Sequence, residues 1–244
     1  MEQRVKLVEG DKETAVDATR YRSVIGSLRY LVNTRPDIAY AVGLASRFME
    51  APNNEHWAAV KRIIRYISGT VNYGCKFVGG NYSDMGLLGY TDNDYGGDLV
   101  HRKSTTRVAF FLGSNLVTWT SQKQKGVSLS TCEAEYIAAA SGACQGVWLS
   151  RLVADLTGKE VQKFRLLVDN MSAIELSKNP VFHERSKHID TRYHYIRECI
   201  SDGIVDVEHV GADDQLADIL TKALGRIRFV ELRQRQGIVN VRQD

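Results

Sequence analysis

Apolar positions recur at two different periods along this chain, and the period changes near Gly79-Gly80-Asn81. Upstream, Tyr21, Val24, Ile25, Leu28 and Val32 follow the three-and-four spacing of an amphipathic helix. A second helix is predicted from Thr34 and Pro36 towards Phe48, because a proline in the first turn forfeits no helical hydrogen bond and Asp37 suits the positive end of the helix dipole. After a break at Pro52-Asn53-Asn54, Trp57, Val60, Ile64 and Ile67 form another apolar stripe, opposite Lys61, Arg62 and Arg65. Residues 1–80 therefore read as mainly helical, after a polar stretch over 1–17.

Downstream the period falls to two. Gly86–Asp94, Ser104–Gly113 and Asn115–Gln124 are rich in strand formers, and Gly113-Ser114-Asn115 suits a tight turn, so three consecutive antiparallel strands are predicted. A long helix over 131–156, a strand at Phe164–Val168, helices at 171–178 and 187–202, a strand at Ile204–Val210 and a helix from Asp214 to Leu224 complete the order. Such a succession predicts an α/β domain over 81–225, a mixed five-stranded sheet covered by helices. Residues 226–244 are left as a basic C-terminal tail.

Composition narrows the class without naming a function. A 43% hydrophobic content over 244 residues is ample for a core. No apolar stretch approaches the ~20 residues of a membrane helix, and the first residues lack a signal-peptide pattern, so the expectation is an intracellular chain without a membrane partner. Cys75, Cys132, Cys144 and Cys199 form no C-x-x-C pair, which argues against a zinc site or a disulfide framework. The net charge of +3 is modest, but residues 222–244 carry six Lys/Arg against Glu231 and Asp244.

Four carboxylates then stand out by position: Asp92 ending a strand, Glu135 opening the long helix, Asp169 ending another strand and Asp218 in the last helix. Acids that converge in space hold hard divalent cations, and two such ions about 4 Å apart clamp a phosphodiester. Each acid also has an ordinary reading. Asp92 and Asp94 share a strand face and either suits a turn; Asp169 could cap the helix that follows; Asp218 could face solvent. Only Glu135 is separated from its neighbour by geometry. Ser130-Thr131-Cys132-Glu133 is a capping box, and Glu135 lies roughly 200° around the helix from Glu133, heading a stripe of Ala138, Ala139, Gly142 and Gly146 that would let the helix approach the sheet closely.

The local sequences around these acids add what their order cannot. Gly89-Tyr90-Thr91-Asp92, Arg102-Lys103-Ser104-Thr105, Ser130 to Tyr136, Asn179-Pro180-Val181-Phe182-His183 and Asp214 to Lys222 closely resemble the ribonuclease H region of copia-type retrotransposon polyproteins. Tyr21 to Thr70 resembles the stretch that links reverse transcriptase to ribonuclease H there. The resemblance implies a ribonuclease H fold and endonucleolytic cleavage of the RNA strand of an RNA–DNA hybrid, leaving 5′ phosphates. It also implies two Mg²⁺ or Mn²⁺ ions per site, held by Asp92, Glu135, Asp169 and Asp218, with Asp92 bridging both ions. His209 is carried over as a candidate auxiliary in proton transfer or product release, though a strand histidine reads the same way.

His183, His188 and His194 are spaced by five and six, so no two share a helical turn as metal ligands would. With Arg185, Lys187, Arg192 and Arg197 they form a basic surface, from which Lys187 and Arg192 are candidate contacts to a nucleic-acid backbone. Two departures from the pattern of the family it resembles are Tyr95-Gly96 and Thr106-Arg107, where Trp or His then Ala, and Ser then Gly, are usual. The chain also lacks the Tyr-x-Asp-Asp motif of a polymerase, so any reverse transcriptase domain would belong to a larger polyprotein. The rival readings are a non-catalytic relic or host-adopted binding module, and a different nuclease on the same fold.

Overall fold

Helix α1 (Ala18–Val32) starts on Asp17, whose carboxylate accepts from Thr19 N and Arg20 N, and it buries Tyr21, Ile25 and Leu28. The expected second helix is divided into a 3-10 turn at Pro36–Ile38, α2 (Ala39–Ala45) and a second 3-10 turn at Ser46–Phe48. The carboxylate of Asp37 does not serve the helix end but pairs with Arg35 and Tyr66. In α3 (Asn54–Ser68) the side chains of Asn53 and His56 close a capping box. That box turns His56 inward against Phe48, with ring centroids 3.9 Å apart. The buried stripe accordingly runs through His56, Ala59, Val60 and Ile63, and Ile64, expected inside, is 43% exposed. A short strand, β1 (Tyr73–Cys75), follows.

The computed structural model describes residues 7, 16–80, 86–98, 101–179 and 189–242. Beyond the junction come β2 (Leu87–Asn93), β3 (Thr105–Leu112) and β4 (Asn115–Lys123), with Gly113 at φ +59° in the tight turn between the last two. Helix α4 (Thr131–Thr157) leads to β5 (Phe164–Val168) and α5 (Met171–Lys178). A 3-10 turn at Thr191–His194, α6 (Tyr195–Ser201), β6 (Val205–His209) and a 3-10 turn at Leu216–Leu220 complete this part. The sheet order is β4-β3-β2-β5-β6. The β2–β3 and β3–β4 pairs are antiparallel, whereas β2–β5 and β5–β6 are parallel. This is the ribonuclease H-like mixed five-stranded sheet with flanking helices that the resemblance implies.

Helix α4 lies on the sheet as its small residues foretell. A β-carbon at Gly142 would meet Thr91 Cγ2 at 2.5 Å, and one at Gly146 would meet the Phe164 ring. The core below it is built from Phe110, Tyr136, Ala139, Ala143, Phe164 and Leu166, among others. The predicted helix from Asp214 to Leu224 is instead a five-residue 3-10 turn. Gln215 Oε1 accepts from Ala217 N while its Nε2 donates to Thr91 O, which binds the start of the segment to β2 before an α-helical turn can close.

The C-terminal residues expected to form a tail carry α7 (Arg226–Arg235) and β7 (Ile238–Asn240), and β7 pairs antiparallel with β1. Leu232 and Ile238, both at 0% exposure, supply apolar contacts that a charge count conceals. The chain thus divides into two compact units, residues 1–77 with 222–244, and residues 78–221. Among the described residues no helix is long and apolar enough to cross a membrane.

Candidate active site

Asp92 sits one residue before the end of β2, between β3 and β5, and is 4% exposed. Its Oδ1 accepts from Asn93 N at 2.8 Å. Asp94, which strand alternation places on the same face, is engaged elsewhere: Oδ1 accepts from Thr105 N and Oδ2 lies 3.4 Å from Arg107 Nη1. Asp169 directly follows β5, the parallel neighbour of β2, and the capping of α5 falls to Asn170, whose side chain accepts from Ala173 N at 3.0 Å. Two acids therefore stand at adjacent carboxyl ends of parallel strands, the edge at which open α/β sheets form their sites.

Glu135 arrives from α4. The helix is capped by Ser130, whose Oγ accepts from Glu133 N at 3.1 Å, while Glu133 Oε2 accepts from Leu129 N at 2.7 Å, one residue before the N-cap, so the expected box is not closed on Ser130 although Glu133 is still occupied at the helix start. Glu135 points to the sheet instead. Asp92, Glu135 and Asp169 each offer an oxygen such that all three lie within 4.8 Å of one another. Burial first, then the charges of Asp169 and Asp92, push the Glu135 carboxyl from its ordinary 4.5 up to about 10. Glu135 also shares a hydrogen bond with Asp169 and accepts from the Asn93 backbone, yet its Oε2 is buried with no hydrogen-bond partner.

Asp218 is not a member of that trio. It is 5% exposed on the 3-10 turn that packs against β2 and β3 and that Gln215 ties to Thr91. His209, exposed, ends β6 opposite Val168, the residue before Asp169. Arg192 is exposed, pairs with Asp190 at 3.3 Å, and borders a cavity of about 260 Å³ with Lys123, Lys125 and Gln145. Lys187, like His183, Arg185 and His188, lies outside the described residues. His194 meets the Tyr136 hydroxyl at 2.9 Å, a packing role rather than a place in the acidic cluster.

One residue near the site gave no signal beyond its departure from the family pattern. Arg107 is directly opposite Asp92 in the β2–β3 register, so both project to one side of the sheet. It is 2% exposed, and its Nη1 also donates to Thr105 O at 2.8 Å. Gln215, whose hydrogen bond aligns the Asp218 turn with β2, was equally silent in the sequence, because nothing local marks a contact 124 residues away.

No family model matches the chain. It is 47% identical over 210 residues to the retrovirus-related Pol polyprotein from transposon TNT 1-94 of Nicotiana tabacum, covering 86% of this chain and 16% of that protein. It is 42% identical over 238 residues to the Pol polyprotein from transposon RE1 of Arabidopsis thaliana, covering 98% of this chain and 16% of that one. The chain thus spans about one-sixth of these relatives. An N-terminal RNase H domain from Mycobacterium tuberculosis, solved as a fusion with maltose-binding protein, is 14% identical with a TM-score of 0.38, over 62% of this chain and 98% of that one.

Proposed function

From the premise that the chain belongs to the family of retrovirus-related Pol polyproteins of copia-type transposons, we propose that it is a metal-dependent endonuclease cutting the RNA strand of RNA–DNA hybrids. The observation that carries this reading is the convergence of Asp92, Glu135 and Asp169 from three separate elements. The donor set fits a hard divalent cation: every ligand atom is a carboxylate oxygen, one of them is buried without a partner, and the mutual repulsion is what a cation offsets. In this reading Asp92, Glu135 and Asp169 would hold one Mg²⁺ or Mn²⁺ ion, and Asp218 would help to hold a second.

When bound, such ions supply Lewis acidity and make a coordinated water acidic enough to attack at neutral pH. The chain's own contribution is position. The parallel pairing of β2 and β5 aligns Asp92 with Asp169, the glycines of α4 bring Glu135 down to them, and Gln215 anchors the turn that carries Asp218. His209, exposed at the end of the neighbouring strand, stands as the auxiliary for proton transfer or product release. Lys187 and Arg192 neutralise hybrid phosphates, so Lys187→Ala with Arg192→Ala lowers the salt slope of hybrid binding by about 1–2. The larger polyprotein supplies a reverse transcriptase domain as partner.

The test is incubation of purified chain with labelled RNA–DNA hybrid, RNA duplex and DNA duplex in Mg²⁺, beside an Asp92→Asn, Asp169→Asn control. Hybrid-specific cutting with 5′-phosphate products, lost in the control, is expected. No hybrid cutting by the parent chain, or equal cutting by the control, overturns the reading. One observation favours the second reading, a non-catalytic binding module: buried Arg107 brings a fixed positive charge to the face that carries Asp92. Hybrid binding without cutting would select it.

A further inference from the structure

The first unit carries a half-open cavity of about 630 Å³, lined only by residues of that unit and within the size range of sites for drug-sized ligands. Its walls are largely apolar, from Ile38, Ala41, Ile63, Phe229 and Val230, with Arg226 and Arg233 among them. Asp37 also borders it, but that carboxylate is already engaged by Arg35 through Nε at 2.9 Å and Nη2 at 2.7 Å, and by the Tyr66 hydroxyl at 2.6 Å.

Arg233 is treated differently. It is 7% exposed, yet among the described residues no carboxylate forms an ion pair with it. Its Nη1 donates to the Tyr66 hydroxyl at 3.1 Å, its guanidinium stacks 4.2 Å over the Tyr73 ring, and its Nε is buried with no acceptor. Tyr66 is no counter-charge: burial, then Asp37, push its phenol up to about 12. A guanidinium held at that depth by neutral partners is costly unless an anion completes it. Arg226, exposed on the same wall, adds a second positive charge.

We propose that this cavity binds a small amphiphilic carboxylate, its apolar body between α2, α3 and α7 and its anionic head on Arg233. An apolar wall with one deep, uncompensated cation selects for that combination, since a neutral body leaves the charge unsatisfied and a bare anion leaves the wall uncovered.

The test is calorimetric titration of the full chain with decanoate, and with decanol as the same body without the charge. Saturable one-to-one binding of decanoate is expected, about tenfold or more tighter than decanol. Ala41→Trp, which fills the groove from a half-buried position, abolishes it, and Arg233→Gln reduces decanoate to the decanol level. Asp92→Asn leaves binding unchanged, which separates this site from the acidic cluster. Should Arg233→Gln fail to fold, as followed by circular dichroism, the decanol and Ala41→Trp arms decide alone. Equal binding of decanol and decanoate, binding undiminished in Ala41→Trp, or no saturation by decanoate overturns the proposal.

Discussion

Both units of the chain bury carboxylates, and they treat them in opposite ways. In the first, Asp37 is 4% exposed but receives two hydrogen bonds from one guanidinium and a third from a phenol. In the second, Asp92 and Glu135 are about as deep, at 4% and 6%, yet the groups that crowd Glu135 are other acids. Depth is therefore no guide to role. The sign of the neighbours is: a buried acid among cations completes the fold, whereas buried acids among acids weaken it and mark a place for something absent from the chain.

The contrast can be broken most forcefully at Glu135. Glu135→Gln lowers hybrid cleavage on the order of 10³-fold in Mg²⁺, measured as initial rate; a loss below about tenfold would return Glu135 to the structural acids. The same change of acid to amide in the first unit, Asp37→Asn, strands the Arg35 charge and destabilises the chain by about 3–5 kcal/mol, read from urea unfolding. Saturating Mg²⁺ stabilises the parent chain by about 3–4 kcal/mol at a hundred to a thousand times Kd, and leaves the melting curve of Asp92→Asn, Asp169→Asn unmoved.

The smallest effect has the most telling sign. Without divalent cations, Glu135→Gln stabilises the chain by about 1 kcal/mol at neutral pH. The folded carboxyl keeps its proton up to about 10 while the unfolded one releases it near 4.5, so the folded state binds the extra proton. Stability accordingly falls as pH rises through that window, and the amide flattens the slope. Thermal melts in chelator across the window measure it; a parent slope no steeper than the variant's would remove the repulsion on which the comparison rests.

Much of the second unit was legible because its segments carry their own punctuation. Phe164–Val168 and Met171–Lys178 fall where apolar runs and capping residues put them. Glu135 was separable from Glu133 because helix geometry leaves no choice, whereas Asp92 and Asp94 share a period and only Thr105 and Arg107, on another strand, tell them apart. The strand pair Tyr73–Cys75 with Ile238–Asn240 carries no sequence signal, since three residues show no period and the partners are far apart in the chain. Arg233 reads as one more charge of a basic tail for the same reason: charge is local, and burial is not.

The two glycines of α4 extend the site beyond its ligands. Every single-base change that replaces a glycine installs a side-chain carbon, and at 142 or 146 that carbon strikes Thr91 or Phe164. A copy of this gene released from selection would lift α4 off the sheet, and Glu135 with it, through mutations that leave all four acid codons intact. Intact acids are thus a weaker sign of an intact cluster than intact acids above an unobstructed helix.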